Sequence, residues 1–558
     1  MGAGNDHARR AVLRAAALAG TALPLAAPTA RAAPGSDGGP ARRPPGLVRV
    51  TRGDPRYGHL VARGASNRFR GTPECVYLVG STRHVVRAVR EAVRDGRRLA
   101  VRSGGHCFED FVDHPSVTAV IDMSLMRQVA FDERRGAFVV EAGATLGEVY
   151  RALHLGWGVT LPAGYHGEVG AGGHVPGGGY GPLCRLFGLV SDYLYAVEVV
   201  VVDRAGRARA VVASREEDDP HRELWWAHTG GGGGTFGVVT RMWFRSPGAD
   251  RHTDPGRMLP VPARTALTFT AQWSWRGMGE DRFGRLVRNH GRWAERHAAA
   301  DDPAAALYAE FALARRAAGA HLLFGQVAAV PGEDRRLLDG FLGALSAGVG
   351  RPGTLRTARL PWLTAALRGS GEPVGEWHIK IKSAFLRRRF TDRQIAATYH
   401  HLTRTDTDVV NGSVVLNTYG GAVNALPPEA TAMPHRDSVL MLSCLASWVR
   451  PGQRSAYLAW IRACYHDLFA DTGGVPVPGG TADGAFVNYP DTDLADPRWN
   501  ISGTPWETLY YGANHARLSA VKARWDPRGV FRHALSVGPP APPRGSTAGA
   551  LHRDRRGL

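Results

Sequence analysis

A segment of 21 residues, 161–181, limits how this chain can fold more than any other, because nine of the 21 are glycine. Glycine weakens the interior of a helix or strand, since it loses more backbone freedom on folding than any other residue. So dense a run predicts a loop rather than a regular element. A backbone this bare is suited to lying flat against a large planar ligand.

A second glycine loop lies upstream in residues 101–110, VRSGGHCFED. An apolar run ending at Val101 predicts a short buried strand, and the Ser-Gly-Gly that follows cannot continue it. Consecutive N–H groups in such a turn form an anion-binding nest. Arg102 adds a cation that suits a pyrophosphate, and His106 stands at the loop mouth as a nucleophile. These residues alone are equally compatible with an ordinary turn that exposes a histidine.

A third glycine run occupies residues 230–234. Together with Gly237 it gives the spacing Gly232-x-Gly234-x-x-Gly237, which is formally a dinucleotide-binding fingerprint. That fingerprint must open a helix. Here the glycines lead into residues 238–244, an apolar stretch that predicts a strand. We therefore reject a Rossmann-type nicotinamide site.

Composition narrows the class of protein. The chain has 558 residues, more than one hydrophobic core normally serves, which predicts two domains. The net charge is +19, but the basic residues are spread along the chain, so a nucleic-acid partner is not expected. After the N-terminus no stretch is long and apolar enough to cross a bilayer. The five cysteines form no C-x-x-C pair, which indicates neither a disulfide framework nor a metal site.

The two ends of the chain differ from the rest. Residues 1–33 combine twin arginines, an Ala-rich apolar run and an A-x-A cleavage site, the pattern of a twin-arginine signal peptide. We therefore expect a secreted protein without a membrane anchor after cleavage. Residues 34–69 are predicted to be an arm and lead-in, and residues 538–558 a disordered tail.

The intervening chain predicts an α+β protein. A β-α-β pattern begins at Cys75, and from residue 249 probable helices alternate with strands. In a strand predicted at 377–386, alternation places His378, Lys380 and Lys382 on one face. That face is either solvated or lines a pocket.

Four motifs in order give this chain a family resemblance. They are the Arg-Ser-Gly-Gly-His ending at His106, the glycine cluster at 170–181, Phe-Val-Asn-Tyr-Pro-Asp at 486–491, and residues 511–531. The chain resembles the berberine-bridge-enzyme-like flavin oxidases, of the vanillyl-alcohol-oxidase fold.

The resemblance implies three structural parts. Residues 70–248 would form an FAD-binding domain of the p-cresol-methylhydroxylase type. Residues 249–485 would form a substrate domain in which helices cover an antiparallel sheet. Residues 486–537 would return to the first domain and close the flavin site.

The resemblance also implies roles for individual residues. His106 matches the histidine bonded covalently to the flavin 8α-methyl group. His174 matches a histidine beside flavin N1, Val169 the gate position beside C4a, and Asn514 a contact of the closing segment. The other expected flavin contacts lie in the two glycine loops: Arg102, Ser103, Gly104 and Gly105 in the pyrophosphate loop, and His166, Gly172, Gly173, Gly178 and Gly179 in the cluster.

One departure from the family concerns the flavin linkage. Many members make a second flavin bond through a cysteine three residues before the gate, where this chain has His166. Cys184 lies 18 residues further on. We therefore expect a single covalent bond, through His106.

The implied chemistry is hydride transfer from a substrate C–H to FAD, with O2 as the acceptor that yields H2O2. Tyr489 is the leading candidate for the base. A phenol with a pKa near 10 needs that value lowered, and Lys380, Lys382 or His378 could supply the cation. Tyr419 is a second candidate.

Three functions remain open at this point. The substrate is an alcohol, a sugar or a glycosylated natural product; alternatively, the enzyme cyclises or desaturates a secondary-metabolite scaffold. A secreted flavin-binding protein without turnover is the third possibility. The expected partners are a small-molecule substrate and O2, with the protein a monomer or a homodimer.

Overall fold

The computed structural model describes residues 46–369 and 377–540. The predicted signal peptide, the first part of the predicted arm and the tail from residue 541 onward lie outside the described residues. The described part is α+β, as predicted, and contains three β-sheets.

The first sheet has four strands in the order β1-β2-β4-β3, with parallel pairing of β2 to β4 and β4 to β3. Its strands are β1 Val48–Thr51, β2 Cys75–Leu78, β3 Leu99–Arg102 and β4 Ala119–Asp122. Since β1 pairs with β2, this sheet already begins inside the segment predicted as an arm and lead-in.

The second sheet is antiparallel, with five strands in the order β5-β6-β9-β7-β8. Its strands are β5 Val129–Asp132, β6 Ala137–Glu141, β7 Leu194–Val202, β8 Ala208–Ser214 and β9 Val238–Phe244. Because β9 directly follows the third glycine run, rejection of a Rossmann-type fingerprint there is confirmed.

The third sheet is antiparallel and has seven strands in the order β13-β10-β12-β11-β15-β16-β14. Its strands are β10 Thr265–Ser274, β11 Leu307–Ala314, β12 Ala320–Val327, β13 Thr354–Pro361, β14 His378–Leu386, β15 Gly412–Thr418 and β16 Leu440–Trp448. Every residue of the central strand β11 is buried, so both faces of the sheet are covered there.

Helices join and cover the sheets. The α-helices are Tyr57–Val61, Thr82–Arg94, Leu146–Trp157, Ala171–His174, Cys184–Phe187, Arg222–Ala227, Glu280–Arg296, Glu333–Ser346, Trp362–Ala366, Asp392–Thr403, Arg454–Leu468, Trp506–Tyr511 and His515–Trp525. The longer ones follow the signals in the sequence. Thr145 and Glu148 form the predicted capping box, and Gly158 ends that helix in the left-handed region with φ 74°.

The C-terminal segment returns to the first domain. Its last helix, His515–Trp525, packs against Arg222–Ala227. An ion pair of 2.6 Å joins Arg517 to Glu223 across this contact. The helix His515–Trp525 is therefore held against a helix that lies between β8 and β9 in the chain. No helix among the described residues has both the length and the apolar character that crossing a membrane would require.

Candidate active site

A deep cavity lies where the glycine loops, the central strand of the seven-stranded sheet and the C-terminal segment meet. The two smaller sheets contribute glycine loops and His106, β11 contributes Tyr308 and Glu310, and the last segment contributes Tyr489 and its neighbours. Of the residues predicted to bind a cofactor or act in catalysis, those in the lining are Arg102, Ser103, Gly104, Gly105, His106, His166, Val169, Gly172, Gly173, His174 and Tyr489.

The two predicted glycine loops pack directly on each other. A Cβ atom on Gly104 would collide with the backbone nitrogen of Gly170, and one on Gly170 would collide with the Ser103 hydroxyl. That hydroxyl donates a 2.6 Å hydrogen bond to the carbonyl of Ala142. A Cβ on Gly173, by contrast, would meet nothing within 4 Å. The glycines thus serve two purposes: some allow loop contact, and Gly173 leaves an open wall.

The third glycine run also borders the cavity. Gly232, Gly233 and Gly234 belong to its lining, although the sequence interpretation gave them no role beyond the rejected fingerprint. Gly232 and Gly234 have φ angles of 86° and 74°, in the left-handed region that favours glycine. In the sequence, the high density of glycine was the feature that could have indicated this part of the cavity wall.

His106 lines the cavity and carries an unpartnered imidazole nitrogen. Its Nε2 is buried and has no hydrogen-bond partner among the described residues. Burial, with a smaller contribution from the charge of His166, lowers the pKa of His106 to about 3. The ring is therefore neutral at physiological pH, with a lone pair available for bonding.

His166 occupies the position where relatives carry the second linking residue. Its ring stacks on that of Tyr165 with a centroid distance of 4.9 Å, and burial lowers its pKa to about 4. Cys184 is fully buried outside the cavity lining, and burial raises the pKa of its thiol to about 12. A protonated, enclosed thiol is a poor nucleophile.

The ring of His174 is fixed by a hydrogen bond from one glycine and by close packing against another. Its Nε2 accepts a 3.2 Å hydrogen bond from the backbone N–H of Gly164. A Cβ on Gly179 would approach the same ring nitrogen within 2.6 Å, while Gly178 faces Met433 with φ 98°. The prediction that Gly178 and Gly179 contact a cofactor is not supported, because both lie outside the cavity lining: Gly179 leaves room for the ring of His174, and Gly178 packs on Met433.

Arg102 does not offer its charge to the cavity. Its guanidinium forms hydrogen bonds of 3.2 and 3.0 Å with the buried carboxylate of Asp122. The prediction that Arg102 is the cation for a pyrophosphate is therefore not supported by its contacts. Backbone N–H groups of the glycine loops remain the donors for an anion here.

Tyr489 lies among aromatic side chains, and no cation of the described residues acts on its pKa. Its hydroxyl is 3.3 Å from that of Tyr180, which accepts a 3.0 Å hydrogen bond from the amide of Asn417. Burial raises the pKa of Tyr489 to about 12; the bond to Tyr180 opposes this rise, and the charge of Glu310 adds to it. The expected lowering of this pKa by a lysine is not found.

The two lysines on β14 instead form ion pairs within a buried cluster. Lys380 lies 2.5 Å from both Glu109 and Asp491, and Lys382 lies 2.5 Å from Asp491 and 2.9 Å from Asp493. Both lysines are almost fully buried, and Lys382 is not part of the cavity lining. Both predictions for this strand face are therefore wrong for its lysines, which are neither solvated nor part of the cavity lining. They form ion pairs with the segment that carries Tyr489.

Two further predicted site residues lie outside the lining. The hydroxyl of Tyr419 is buried behind Tyr180, whose ring centroid is 6.1 Å away. Asn514 donates hydrogen bonds of 2.8 and 3.1 Å to the carbonyls of Pro428 and Thr431. Tyr419 thus packs behind the site, and Asn514 ties the closing segment to a neighbouring loop rather than to a cofactor.

Glu310 is the cavity residue that sequence reasoning missed. It is 2 % exposed, and it is the only carboxylate among the described residues that line the cavity. Burial raises its pKa to about 8, while the nearby hydroxyls of Tyr165 and Tyr308 and the charge of Arg368 oppose that rise. A single Glu within the apolar strand LYAEFALA was the available signal.

Comparison with known proteins places this architecture in a family. Residues 73–208 match the model of an FAD-binding domain, and residues 485–538 match that of the berberine and berberine-like family. The chain is 52% identical over 543 residues to the aclacinomycin-N/aclacinomycin-A oxidase of Streptomyces galilaeus, covering 96% of this chain and 99% of that one. A hexose oxidase of Chondrus crispus is 29% identical over 532 residues, covering 87% and 93%.

Solved structures agree with these sequence relationships. The crystal structure of a glycopeptide hexose oxidase complexed with teicoplanin has a TM-score of 0.86 and 50% identity, covering 89% of this chain and 100% of that one. Aclacinomycin oxidoreductase has the same TM-score with 52% identity and the same coverage. The chain belongs to the berberine-bridge-enzyme-like FAD-linked oxidases. It is an oxidoreductase with the two-domain fold of that family.

The residues of the cavity fit FAD. Three glycine runs leave bare backbone along its wall, and His106, whose Nε2 has no hydrogen-bond partner among the described residues, belongs to the same lining. The loop at residues 102–106 and the glycines at 172–173 and 232–234 are the groups that would hold the cofactor. Bound FAD supplies an acceptor for the hydride of a substrate.

Proposed function

We propose that this protein oxidises a hydroxyl group of a sugar or alcohol, carried on a glycosylated natural product, with O2 as the final acceptor and H2O2 as the product. The observation that carries the proposal is the placement of His106 and Tyr489 on one cavity, between the glycine loops and the substrate-domain sheet. The names of the relatives favour a sugar: one is an aclacinomycin oxidase and another a hexose oxidase.

In this proposal Tyr489 accepts the proton of the reacting hydroxyl. Its phenol lies in the cavity with its hydroxyl 3.3 Å from that of Tyr180, so the two hydroxyls can share a hydrogen bond while the proton moves. Apolar and aromatic side chains around it, among them Phe486 and Tyr511, exclude water. The carbinol carbon loses a hydride to FAD and its oxygen loses a proton, so a carbonyl forms.

The experiment is an anaerobic screen of sugars, alcohols and aromatic glycosides against the purified holoprotein. Loss of the flavin's visible absorbance reports reduction, and re-admission of air should restore the colour with one H2O2 per cycle. Formation of a new ring or C=C bond in the product would favour the cyclase or desaturase. A flavin that no compound bleaches would contradict an oxidase function.

We further propose that FAD is bonded covalently to His106 and to no cysteine. Attachment exchanges an 8α C–H bond of the cofactor for a C–N bond, and O2 takes up the two electrons and two protons as H2O2. The neutral imidazole with its unpartnered Nε2 supports this role. Cys107 lines the cavity, but burial raises the pKa of its thiol to about 12, so it is not expected to compete.

Substitution of His166 tests the single linkage. His166→Cys is expected to permit a second flavin bond, because it returns a thiol to the cavity position that carries one in relatives. Peptide mapping with mass spectrometry should then find flavin on residue 166 as well as on His106, with a changed visible spectrum.

Cys184→Ser is the matched control and should leave both the map and the spectrum of the native protein unchanged. A native flavin peptide that contains Cys184 would contradict the single-linkage proposal.

We also propose that the protein is exported by the twin-arginine pathway, as a monomer or a homodimer. The sequence of residues 1–33 supports export, and that pathway carries folded proteins with their cofactors bound. Replacement of both Arg9 and Arg10 by lysine should retain the protein inside the cell.

A further inference from the structure

Glu310 differs from the buried carboxylates of the ion cluster around Lys380. Glu109, Asp491 and Asp493 each lie within 3.1 Å of at least one Lys or Arg nitrogen, so their charges are compensated. Glu310 has no ion-pair partner within 4.0 Å among the described residues, although it is equally buried. An isolated buried carboxyl gains from holding a proton, whereas a compensated one does not.

Glu310 is also held in a fixed position beside the cavity in which substrate oxidation would release a proton. It projects from β11, the central strand of the seven-stranded sheet, into the cavity that contains Tyr489. Its Oε1 accepts a 3.0 Å hydrogen bond from the hydroxyl of Tyr308, two residues away on the same strand face. The pairing of Glu310 with Asn417 on β15 holds the backbone on one side, and Phe324 on β12 holds it on the other.

The surroundings of Glu310 contain phenols and one cation. Among the described residues, the titratable groups whose charges or hydrogen bonds act on it, or on which it acts, are Tyr165, Tyr180, Tyr308, Tyr489 and Arg368. All four phenols keep their protons at neutral pH, because burial raises each pKa. Glu310 is therefore the member of this group whose protonation state changes near physiological pH.

We propose that Glu310 is the proton acceptor of the active site, the carboxylate on which the proton released by substrate oxidation is finally held. This inference rests on the proposed oxidase function and deepens it. As the Tyr489 oxygen takes the substrate's O–H proton, the phenol's own proton passes across the cavity that both tyrosines line to the oxygen of Tyr308. Tyr308 gives its former proton to Oε1 of Glu310 along their hydrogen bond. The hydride of the same carbon passes to FAD, so one carbonyl and one protonated carboxyl form.

Tyr489 alone cannot account for where the proton released by the substrate finally goes. A phenol with a pKa of about 12 is not ionised beforehand at neutral pH, so it can accept one proton only by losing another. General bases work best when their pKa lies near the working pH. The pKa of Glu310, about 8, meets that condition.

The decisive measurement is the rate of anaerobic flavin bleaching between pH 6 and pH 10, with the compound that reacts fastest in the substrate screen. The native rate should rise with an inflection near the pKa of Glu310, because only the ionised carboxylate accepts a proton. Glu310→Gln keeps the size of the side chain and an acceptor for Tyr308. It should abolish the inflection and slow the reaction at pH 9 by about 100-fold, with a far smaller effect at pH 6.

Three further variants separate this role from a structural one. Glu310→Asp should retain a shifted inflection, and Tyr308→Phe should reduce the rate without removing it. Glu74→Gln, on an exposed carboxylate, is the matched control and should behave as the native protein. An unchanged pH profile in Glu310→Gln would overturn the inference while leaving the oxidase function intact.

The thermal stability of the protein tests the inference without turnover, even if no substrate is found. The pKa of Glu310 is higher in the folded protein than in the unfolded chain, so folding stability from this group is lost as the pH rises through about 8. The Tm of native holoprotein should therefore fall, relative to that of Glu310→Gln, between pH 5 and pH 9. Parallel Tm curves for the two proteins would show that Glu310 does not titrate there and would overturn the inference.

Discussion

Substitution of His106 by alanine should convert a flavin that survives acid precipitation into one that is fully extractable. The native imidazole lines the cavity and has an unpartnered Nε2, whereas alanine has no atom that can bond to the cofactor. Flavin fluorescence on a denaturing gel should be present for the native protein and absent for the variant, and the mass of the denatured chain should fall by one flavin.

The control for this prediction is His174→Ala, since His174 also lines the cavity with a neutral ring. That variant should keep its covalent flavin. Flavin that stays attached to the denatured chain of His106→Ala would assign the linkage to another residue, with His166 first in line.

Substitution of Tyr489 by phenylalanine should lower the rate of anaerobic flavin bleaching by about 10²–10⁴-fold, the range expected for loss of a positioned acid–base group. The hydroxyl contacts Tyr180, while the ring packs with Phe486 at a centroid distance of 5.3 Å. Phenylalanine preserves the ring packing, so folding and covalent flavin content should be native. The rate should be lower across the whole pH range.

Tyr419→Phe is the informative comparison, because Tyr419 lies behind Tyr180 rather than in the cavity lining. Its rate should remain close to native. If Tyr489→Phe kept the native rate while Tyr419→Phe lost it, the base would have to be reassigned to Tyr419.

Local composition was sufficient to predict only part of the backbone of the site. Gly104 and Gly105 form the predicted loop, whereas Gly172 and Gly173 lie in the one-turn helix Ala171–His174, which the density of glycine did not predict. Both stretches line one cavity. Strand β9 was predictable as well, because an apolar β-branched stretch after the third glycine run cannot open a helix.

Contacts between distant parts of the chain were beyond such reasoning. Alternation along β14 places Lys380 and Lys382 on one face, but their burial depends on Asp491 and Asp493, which lie more than 100 residues away in sequence. Glu310 escaped notice for a related reason. Its importance comes from the absence of a neighbouring cation, and a sequence does not show which cations will be absent.

The ion cluster around Lys380 has a consequence for how substrate enters. Glu109 belongs to the first domain, Lys380 and Lys382 to the seven-stranded sheet, and Asp491 and Asp493 to the closing segment. Rotation of the domains would separate these charges, and loss of one partner from such a buried pair costs about 3–5 kcal/mol. We therefore expect a substrate to reach the cavity without separation of the domains. A compound too large to enter the protein in this arrangement would then fail to react, whatever its chemistry.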